Sequence, residues 1–513
     1  MSPISRRTLV LGGLATAGIG VLPATARSSV VAATAAVPFP FQLGVASGEP
    51  DATSVVLWTR LAPSPTNADG QGGMANADVA VDWQVSTTDT FATLVASGTV
   101  TAQYAASHAV HVIASGLNPD SDYFYRFRAQ GHVSPVGRTR TTPVVGAAGR
   151  DLVMAFTSCS HYEEGYFTVY RRMADENPGV ILHLGDYIYE YGPTTGRPRL
   201  HLGAETVSLA DYRRRYAQYK TDPDLQAAHA AAPWIVVPDD HEVENNYAGT
   251  VRENNTPALT AAQWTARRSA AYQAYYENMP LRPAQVNSGN SIQLYRRLRW
   301  GSLATFHMLD TRQYRDDQAC GDGWKVCSDA DLATRSLPGN PQESWLLDGL
   351  GQHLGTWDII GQQVFFARRF NSTGASMDSW DGYRASRARI QQGWVDRAVR
   401  NPVVLTGDVH RAWANDLKAG YNNASSATIG TELVTSSVTS SGDGDTSTAV
   451  PDVGTNPWLK FYSNRRGYVR ATVSPTQLHA DFRAVALVSE HGAAATTLKS
   501  FVVQEGHPGL QAV

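Results

Sequence analysis

Four short apolar segments, each followed at once by polar residues that can bind metals, constrain the fold of this sequence more than any other feature. They are LVMAFTSC, GVILHLGD, WIVVPDDHE and NPVVLTGDVH, with SLATFHMLDTRQY as a further candidate strand. Helix-like segments such as LADYRRRYAQYK lie between them. Continuous apolar strands that alternate with helices indicate a sheet buried on both faces, so residues 151–513 are predicted to form an α/β layered domain.

The polar ends of these segments carry the residue types of a metal site. They include Cys159, Asp186, Tyr189, Asp239, Asp240, His241, Asp408 and His410. In open α/β sheets the carboxyl ends of the strands form the ligand crevice, so these ends converge if the strands are neighbours. Two metal ions roughly 3.5–4 Å apart suit phosphoester hydrolysis. Oxygen ligands favour calcium, magnesium, manganese or ferric iron, and a thiolate with a phenolate favours ferric iron.

The region before this domain has a different pattern. Residues 40–143 contain the short, partly alternating segments VVLWTRL, VAVDWQVS, HAVHVIA and DYFYRFRA, which are separated by turn residues. This pattern predicts an N-terminal β-sandwich of the immunoglobulin or fibronectin type. The segment PVVGAAGR, residues 143–150, is predicted to be the linker to the second domain.

The first 35 residues are predicted to be a targeting segment. Arg6 and Arg7 precede a mildly apolar stretch rich in Gly and Ala, and both Ala24–Ala26 and Ala33–Ala35 resemble cleavage sites. The alternative is a membrane anchor, but the stretch is short and is interrupted by glycines and Pro23. We therefore expect a cleaved twin-arginine signal and a secreted protein with no transmembrane span.

Charge and cysteine content narrow the functional classes. The formal net charge of -3 shows no basic excess, so nucleic acid is not expected as a partner beyond use as a substrate, and a monomer is expected. The chain has three cysteines. In an exported protein, Cys320 and Cys327 are good disulfide partners. Cys159 is then left unpaired at a strand end, where it is a candidate ligand.

Several of these motifs together resemble one known family. G-D-x-x-Y at 185–189, Asp-His-Glu at 240–242 and G-D-V-H at 407–410, with Cys159 before them, resemble the alkaline phosphatase D (PhoD) family. That family is related to purple acid phosphatases and includes iron-dependent phospholipases D of actinomycetes. The resemblance covers nearly the whole chain after the signal and implies a metallophosphoesterase domain with an α/β/β/α sandwich fold.

The resemblance also implies roles for individual residues. Fe³⁺ is expected to be surrounded by Cys159, Asp186, Tyr189 and His410, with Asp186 bridging to a second metal. Ca²⁺ is expected near Asp240 and Asp408, and His241 is expected to act with Asp240 in catalysis as a general acid or charge stabiliser. Other positions have more than one interpretation. Asp239 could be a metal ligand, a helix cap or an ion-pair partner, and His161 could gate the site or lie at the surface. His183 could belong to the core or support the metal ligands, and Trp380 could line the substrate entrance or pack in the core. The polar stretch Thr435–Thr448 is predicted to be a flexible surface loop.

Three functions are compatible with these observations. The first is a secreted, metal-dependent phosphoesterase that hydrolyses phosphate monoesters and diesters. The second is a phospholipase D that converts phosphatidylcholine to phosphatidic acid and choline. It would lack the H-x-K-x-x-x-x-D motif, because no histidine here is followed two residues later by lysine. The third is a binding or adhesion protein with a degenerate enzyme domain. A serine hydrolase is disfavoured because the sequence has no G-x-S-x-G motif.

Overall fold

The computed structural model describes residues 38–253, 257–283, 292–423 and 425–513, so the predicted signal of residues 1–35 lies outside the described residues. The first part forms two small antiparallel layers. Its strands are β1 (Val45–Gly48), β2 (Ser54–Arg60), β3 (Val79–Ser86), β4 (Leu94–Ala102), β5 (Ala109–Ser115), β6 (Asp122–Ala129), β7 (His132–Val133) and β8 (Gly137–Arg140). One layer contains β1, β2 and β5, and the other contains β3, β4, β6, β7 and β8.

Alternating side chains hold these two layers together. Along β6, Tyr123, Tyr125 and Phe127 are buried, while Phe124 and Arg126 between them are only half-buried. The buried side chains pack against residues of β2 and β5, including Leu57 and Val112. A period of two with one buried face is typical of a sandwich strand. The predicted N-terminal β-sandwich is confirmed.

The larger part alternates strands and helices before it ends in antiparallel strands. Its helices are α1 (Thr168–Asp175), α2 (Leu209–Lys220), α3 (Pro223–Ala231), α4 (Ala261–Asn278), α5 (Asn340–Leu350) and α6 (Arg384–Asp396). Its strands are β9 (Leu152–Thr157), β10 (Val180–Leu184), β11 (Pro233–Val237), β12 (Arg296–Trp300), β13 (Ala304–Met308), β14 (Trp324–Lys325), β15 (Trp357–Gly361), β16 (Ala375–Ser376), β17 (Pro402–Thr406), β18 (Ala412–Lys418), β19 (Thr428–Val434), β20 (Leu459–Ser463), β21 (Gly467–Val473), β22 (Gln477–Val485), β23 (Ala495–Gln504) and β24 (His507–Ala512).

These strands form two stacked sheets. One has the order β24-β23-β22-β21-β9-β10-β11-β1-β2-β5, and the other has the order β12-β13-β15-β17-β19-β18-β20. Apolar side chains of both sheets share one core, with Phe156 and Leu182 from the first and Phe306 and Leu405 from the second. Helices α1–α4 pack on the outer face of the first sheet, and α5 and α6 pack on the outer face of the second. These layers confirm the α/β/β/α sandwich.

Reciprocal polar caps begin two of the helices that flank the first sheet, α2 and α4. The Ser208 hydroxyl accepts a hydrogen bond from the backbone N–H of Asp211, and the Asp211 carboxylate accepts one from the backbone N–H of Ser208. Thr260 and Gln263 form the same reciprocal pair at the start of α4. Such caps satisfy backbone donors that the helix leaves unpaired. Helix α2 therefore spans the segment LADYRRRYAQYK that the sequence predicts.

The N-terminal sandwich is joined to the first of the two stacked sheets through the backbone. Strand β1 pairs in parallel with β11, with Ser47 opposite Pro233 and Gly48 opposite Trp234. A Cβ atom at Gly48 would lie 2.4 Å from the carbonyl oxygen of Pro280, so this close approach needs glycine. One layer of the sandwich therefore continues the ten-stranded sheet, so the two parts share backbone hydrogen bonds.

A disulfide closes a short loop beside the second sheet. Cys320 and Cys327 are bonded, as predicted, with a Cα–Cα distance of 6.2 Å. The loop contains β14, which pairs with β16 from a later part of the chain. Among the described residues, no helix has the length and apolar character needed to cross a bilayer.

Candidate metal centre

The ends of strands β9, β10, β11 and β17 meet in one crevice. Donor atoms of Cys159, Asp186 and His410 lie within 4.8 Å of one another, and so do those of Asp186, Asp240 and His241. Asp186 belongs to both groups, so it lies between two possible ion positions. The strands are not all neighbours, however, because β17 belongs to the second sheet. The crevice is formed at the shared end of two stacked sheets.

Four of the predicted ligands have an unusual backbone conformation. They are Cys159 (φ 59°), Asp186 (φ 56°), Asp408 (φ 63°) and His410 (φ 56°). This left-handed region disfavours residues with a Cβ by roughly 1–2 kcal/mol each. Such outliers persist where the surrounding structure holds them, and they cluster at functional sites. The chain therefore turns sharply at these strand ends and directs the donor side chains into the crevice.

The glycines of the G-D motifs allow the strand ends to approach closely. A Cβ at Gly185 would lie 2.4 Å from the Cβ of Asp239, and Gly185 itself has φ 103°. A Cβ at Gly407 would lie 2.7 Å from the Ser158 side chain. Any larger residue at these positions would push apart the strand ends that carry the donors.

Tyr189 connects the donors of the first group. Its phenolic oxygen lies 3.1 Å from Asp186 Oδ2 and 3.2 Å from His410 Nε2. Ser440 Oγ lies 2.7 Å from the same oxygen and 2.9 Å from the carbonyl oxygen of Cys159. Burial, followed by the charge of Asp186, raises the pKa of Tyr189 well above its usual value. Without a cation the phenol therefore keeps its proton.

The carboxylate of Asp186 is incompletely satisfied. Its Oδ1 atom is buried and has no hydrogen-bond partner among the described residues, and the same holds for Asp240 Oδ1. Burial and the neighbouring carboxylates raise the pKa of Asp186, although His241 opposes them. Burial and the charge of Asp186 likewise raise the pKa of the Cys159 thiol. A buried carboxylate oxygen without a donor is costly unless it meets a cation, so this donor set fits a metal ion.

Glu242 fixes the positions of two strand ends. Its carboxylate accepts backbone N–H groups of Asp186 at 3.0 Å, Tyr187 at 2.6 Å and Asp239 at 2.8 Å. Burial raises its pKa to about 8, against the lowering effect of these hydrogen bonds. The carboxylate thus ties the end of β10 to the end of β11 and holds Asp186 in its turn.

An arginine that the sequence analysis did not identify organises the acidic side of the site. Arg312 is fully buried, and its Nε lies 2.5 Å from Asp239 Oδ1. Its two Nη atoms bind Asp378 in a bidentate pair at 2.8 and 2.9 Å, and Nη2 lies 3.4 Å from Asp240 Oδ1. Of the interpretations for Asp239, the structure therefore shows the ion pair. The available signal was the segment LDTRQYRDD, which places Arg312 just after the buried strand β13.

His241 is held by a second carboxylate that the sequence analysis missed. Its Nδ1 lies 2.7 Å from Glu190 Oε2, and Glu190 Oε1 accepts the backbone N–H of Asn245. Burial lowers the pKa of His241, but Glu190, Asp240 and Asp186 outweigh this effect and raise it well above its usual value. The Glu190 carboxylate therefore orients the imidazole and favours its protonated form, in which His241 cannot act as a metal ligand of the second donor group.

The remaining predicted residues divide between the site and the core. Asp408 is half-buried and lies outside both donor groups, but it lines an adjacent cavity. His161 is not a surface residue, since its ring packs 4.4 Å from that of Tyr189. His183 is buried and hydrogen-bonded to the Tyr170 hydroxyl. Trp380 is fully buried against Phe366, which shows a packing role.

The prediction of a flexible surface loop at Thr435–Thr448 is wrong for its first half. Residues 435–440 are buried, and Ser440 contacts the Tyr189 hydroxyl inside the site. Ser and Thr satisfy their own hydroxyls here by bonding to backbone carbonyls, as Thr439 does with His161. Composition alone did not reveal this, because the same residues are typical of exposed loops.

The α/β/β/α layers and the donor residues at their shared end define a protein of the metallophosphoesterase fold class. The PhoD-like phosphatase family matches residues 154–482, and the N-terminal domain of PhoD-like phosphatases matches residues 25–143. The chain therefore belongs to the PhoD-like phosphatase family and is a hydrolase of phosphoric ester bonds.

Two relatives illustrate the similarity. The chain is 46% identical over 524 residues to alkaline phosphatase D of Bacillus subtilis (strain 168). The alignment covers 99% of this chain and 89% of that protein. A solved structure described as "Structure of PhoD" is 47% identical and superposes with a TM-score of 0.89, covering 93% of this chain and 92% of that one. Both similarities span the N-terminal sandwich as well as the catalytic layers.

Proposed function

We propose that this chain is a secreted, metal-dependent phosphoesterase that hydrolyses phosphate monoesters and diesters. The observation that carries the proposal is the position of Asp186, whose carboxylate belongs to both donor groups and keeps a buried oxygen without a protein donor. The similarity to alkaline phosphatase D supports the same chemistry. The paired Arg6 and Arg7 support export as a folded protein.

The donor chemistry suggests different ions at the two positions. Fe³⁺ would be held by Cys159, Asp186, Tyr189 and His410, because a thiolate and a phenolate together favour a ferric ion. Ca²⁺ would be held near Asp240 and Asp408 with a share of Asp186, because carboxylate oxygens suit calcium. When bound, such a pair of ions supplies Lewis-acid polarisation of the phosphoryl oxygens and lowers the pKa of a water.

The protein residues around the donors complete the proposed chemistry. His241, held by Glu190, is protonated and donates a hydrogen bond or a proton to the leaving-group oxygen. Although burial opposes ionisation, Arg312 and His241 keep the pKa of Asp240 well below its usual value, so that side chain stays ionised. Buried layers on both sides of the crevice keep bulk water away from these groups.

The first test combines metal analysis with three substrates. We expect the purified full chain to contain iron and calcium and to hydrolyse p-nitrophenyl phosphate and bis(p-nitrophenyl) phosphate. Phosphatidylcholine should be hydrolysed more slowly, because no feature of the described residues favours a lipid over a small ester. Removing the metals with a chelator should abolish activity, and adding both ions should restore it. Full activity without metal would refute the metal dependence, and a clear preference for phosphatidylcholine would favour the phospholipase.

The second test concerns the ferric ion alone. We expect a visible absorption band, because a phenolate from Tyr189 donates charge to ferric iron. Tyr189→Phe should remove or shift this band while leaving the melting temperature within a few degrees, because only one hydroxyl is lost. Tyr191→Phe is the matched control, since Tyr191 lies in the same segment but is 39% exposed, whereas the Tyr189 hydroxyl contacts Asp186 and His410. An iron-free, colourless and fully active wild type would reject ferric iron and leave a divalent-metal phosphoesterase.

A further inference from the structure

A cavity of about 310 Å³ opens beside the proposed metal centre on the side of Asp408. Its wall includes Trp324 from the disulfide-closed loop, together with Arg369 and Arg411. We refer to it below as the arginine cavity. It contains none of the donors proposed for iron, and the proposed chemistry gives its two arginines no role.

Arg369 is fixed in this cavity by aromatic rings. The guanidinium carbon lies 4.8 Å from the ring centroid of Trp324 and 4.8 Å from that of Trp413. Its Nε atom is buried and has no hydrogen-bond partner within the described parts of the chain. The carboxylate of Asp381 accepts the backbone N–H of Arg369, but its ion pair is with Arg387. The guanidinium is therefore held rigid with its hydrogen-bonding capacity unused.

Arg411 adds a second positive charge to the same cavity. After burial, Arg411 is the next largest influence that lowers the pKa of Arg369, so the two cations are close enough to repel each other, while the charges of Asp452 and Asp381 partly offset this effect. Across residues 38–253, 257–283, 292–423 and 425–513, neither arginine has a carboxylate oxygen within 4.0 Å. Partly buried arginines are rarely left without an anion, since the desolvation of a cation is otherwise uncompensated.

The acidic residues that line the cavity do not pair with these two arginines. Asp378 is already paired with Arg312 and with Arg315 at 3.0 Å. Asp322 accepts a hydrogen bond from the Asn246 amide at 2.5 Å. Asp408 lines the same cavity and belongs to the proposed calcium position. Among the described residues, the cavity wall therefore holds two guanidinium groups that none of its carboxylates pairs with.

We propose that Arg369 and Arg411 form a binding subsite for a second anionic group of the substrate. The scissile phosphate would lie at the metal centre, and the alcohol arm of the ester would run through the arginine cavity to the two guanidinium groups. The substrate class is thus a phosphate ester that carries a further phosphate, phosphonate or carboxylate. Planar guanidinium groups suit such anions because they donate two parallel hydrogen bonds. The inference rests on the proposed phosphoesterase function and adds substrate specificity to it.

Binding to the metal-loaded full chain tests this subsite without turnover. Calorimetry would compare propylphosphonate, which has one anionic end, with propane-1,3-bisphosphonate, which has two, and with longer bisphosphonates. We expect at least one bisphosphonate to bind about 10-fold or more tightly than the matched monophosphonate. Arg369→Gln should remove that advantage and change the affinity for propylphosphonate by less than about 2-fold. Arg369→Lys should recover part of it, because it keeps the charge.

Arg368→Gln is the matched control. The Arg368 guanidinium donates to the carbonyl oxygen of Tyr421 at 2.9 Å and does not line the cavity, so this variant should keep the bisphosphonate advantage. A bisphosphonate advantage that survives in Arg369→Gln, or is absent from the wild type at every chain length, overturns the subsite. If the wild type binds propylphosphonate but no bisphosphonate more tightly, the subsite is refuted and the proposed phosphoesterase function is not. If the wild type binds neither ligand, both proposals fail.

Discussion

Replacing Asp186 with alanine should lower kcat by more than about 10⁴-fold, whereas His241→Ala should lower it by about 10²–10⁴-fold. Asp186 contributes to both donor groups, so its loss removes a ligand from each proposed ion at once. His241 is hydrogen-bonded to Glu190, and its proposed role is only to assist the leaving group. The two losses therefore have different causes, and the larger one should be accompanied by lost metal.

The measurement is kcat with p-nitrophenyl phosphate together with the iron and calcium content of each variant. Asp186→Ala should contain substoichiometric metal, and His241→Ala should keep the wild-type content. Asp175→Ala is the control, because that carboxylate is 52% exposed on α1 and pairs with Arg172. Equal losses of activity with full metal content in both variants would contradict the ranking and the bridging role of Asp186.

Arg312→Leu should lower the free energy of unfolding by about 3–5 kcal/mol. The fully buried guanidinium is the cationic partner of Asp239 and forms the bidentate pair with Asp378. Leucine fills part of the volume but leaves these carboxylates buried with fewer cationic partners. Burying an unpaired charge is among the few mechanisms that produce effects of this size.

Chemical denaturation of the metal-loaded proteins measures this loss. Arg312→Lys should be intermediate, because lysine keeps the charge but cannot reproduce the bidentate geometry. The control is Arg150→Leu, whose guanidinium is 53% exposed and pairs with Asp120 and Asp122 at the surface, and it should change stability by only about 0–1 kcal/mol. If Arg312→Leu were as stable as this control, the buried network would not hold the acidic side of the site.

The strands and helices that carry the site could be predicted because their signals are local. A run of buried apolar residues such as GVILHLGD forms a strand wherever both faces are covered, and β10 spans Val180–Leu184 as a result. The capping pair at Ser208 and Asp211 likewise needs only its own neighbours. The short spacing between Cys320 and Cys327 also predicted their disulfide, and this pairing leaves Cys159 free.

Buried polar residues were the main source of error. Ser440 lies in a Ser- and Thr-rich stretch whose composition is typical of an exposed loop, yet it is buried against Tyr189. Glu190 follows its strand end like many surface acids, and only its distant partner shows that it holds His241. A polar residue satisfied by a remote partner leaves no pattern in its own segment.

Local sequence patterns are enough to predict the types of donor at each strand end and the sharp turns that the glycines of the G-D motifs permit. The folded structure is needed to show that β17 belongs to a second sheet and brings His410 to Asp186. It also decided that Arg312 pairs with Asp378, 66 positions further along the chain. The physical reason is that periodicity and turn chemistry act over a few residues, whereas sheet stacking and buried ion pairs depend on which distant surfaces the folded core brings together.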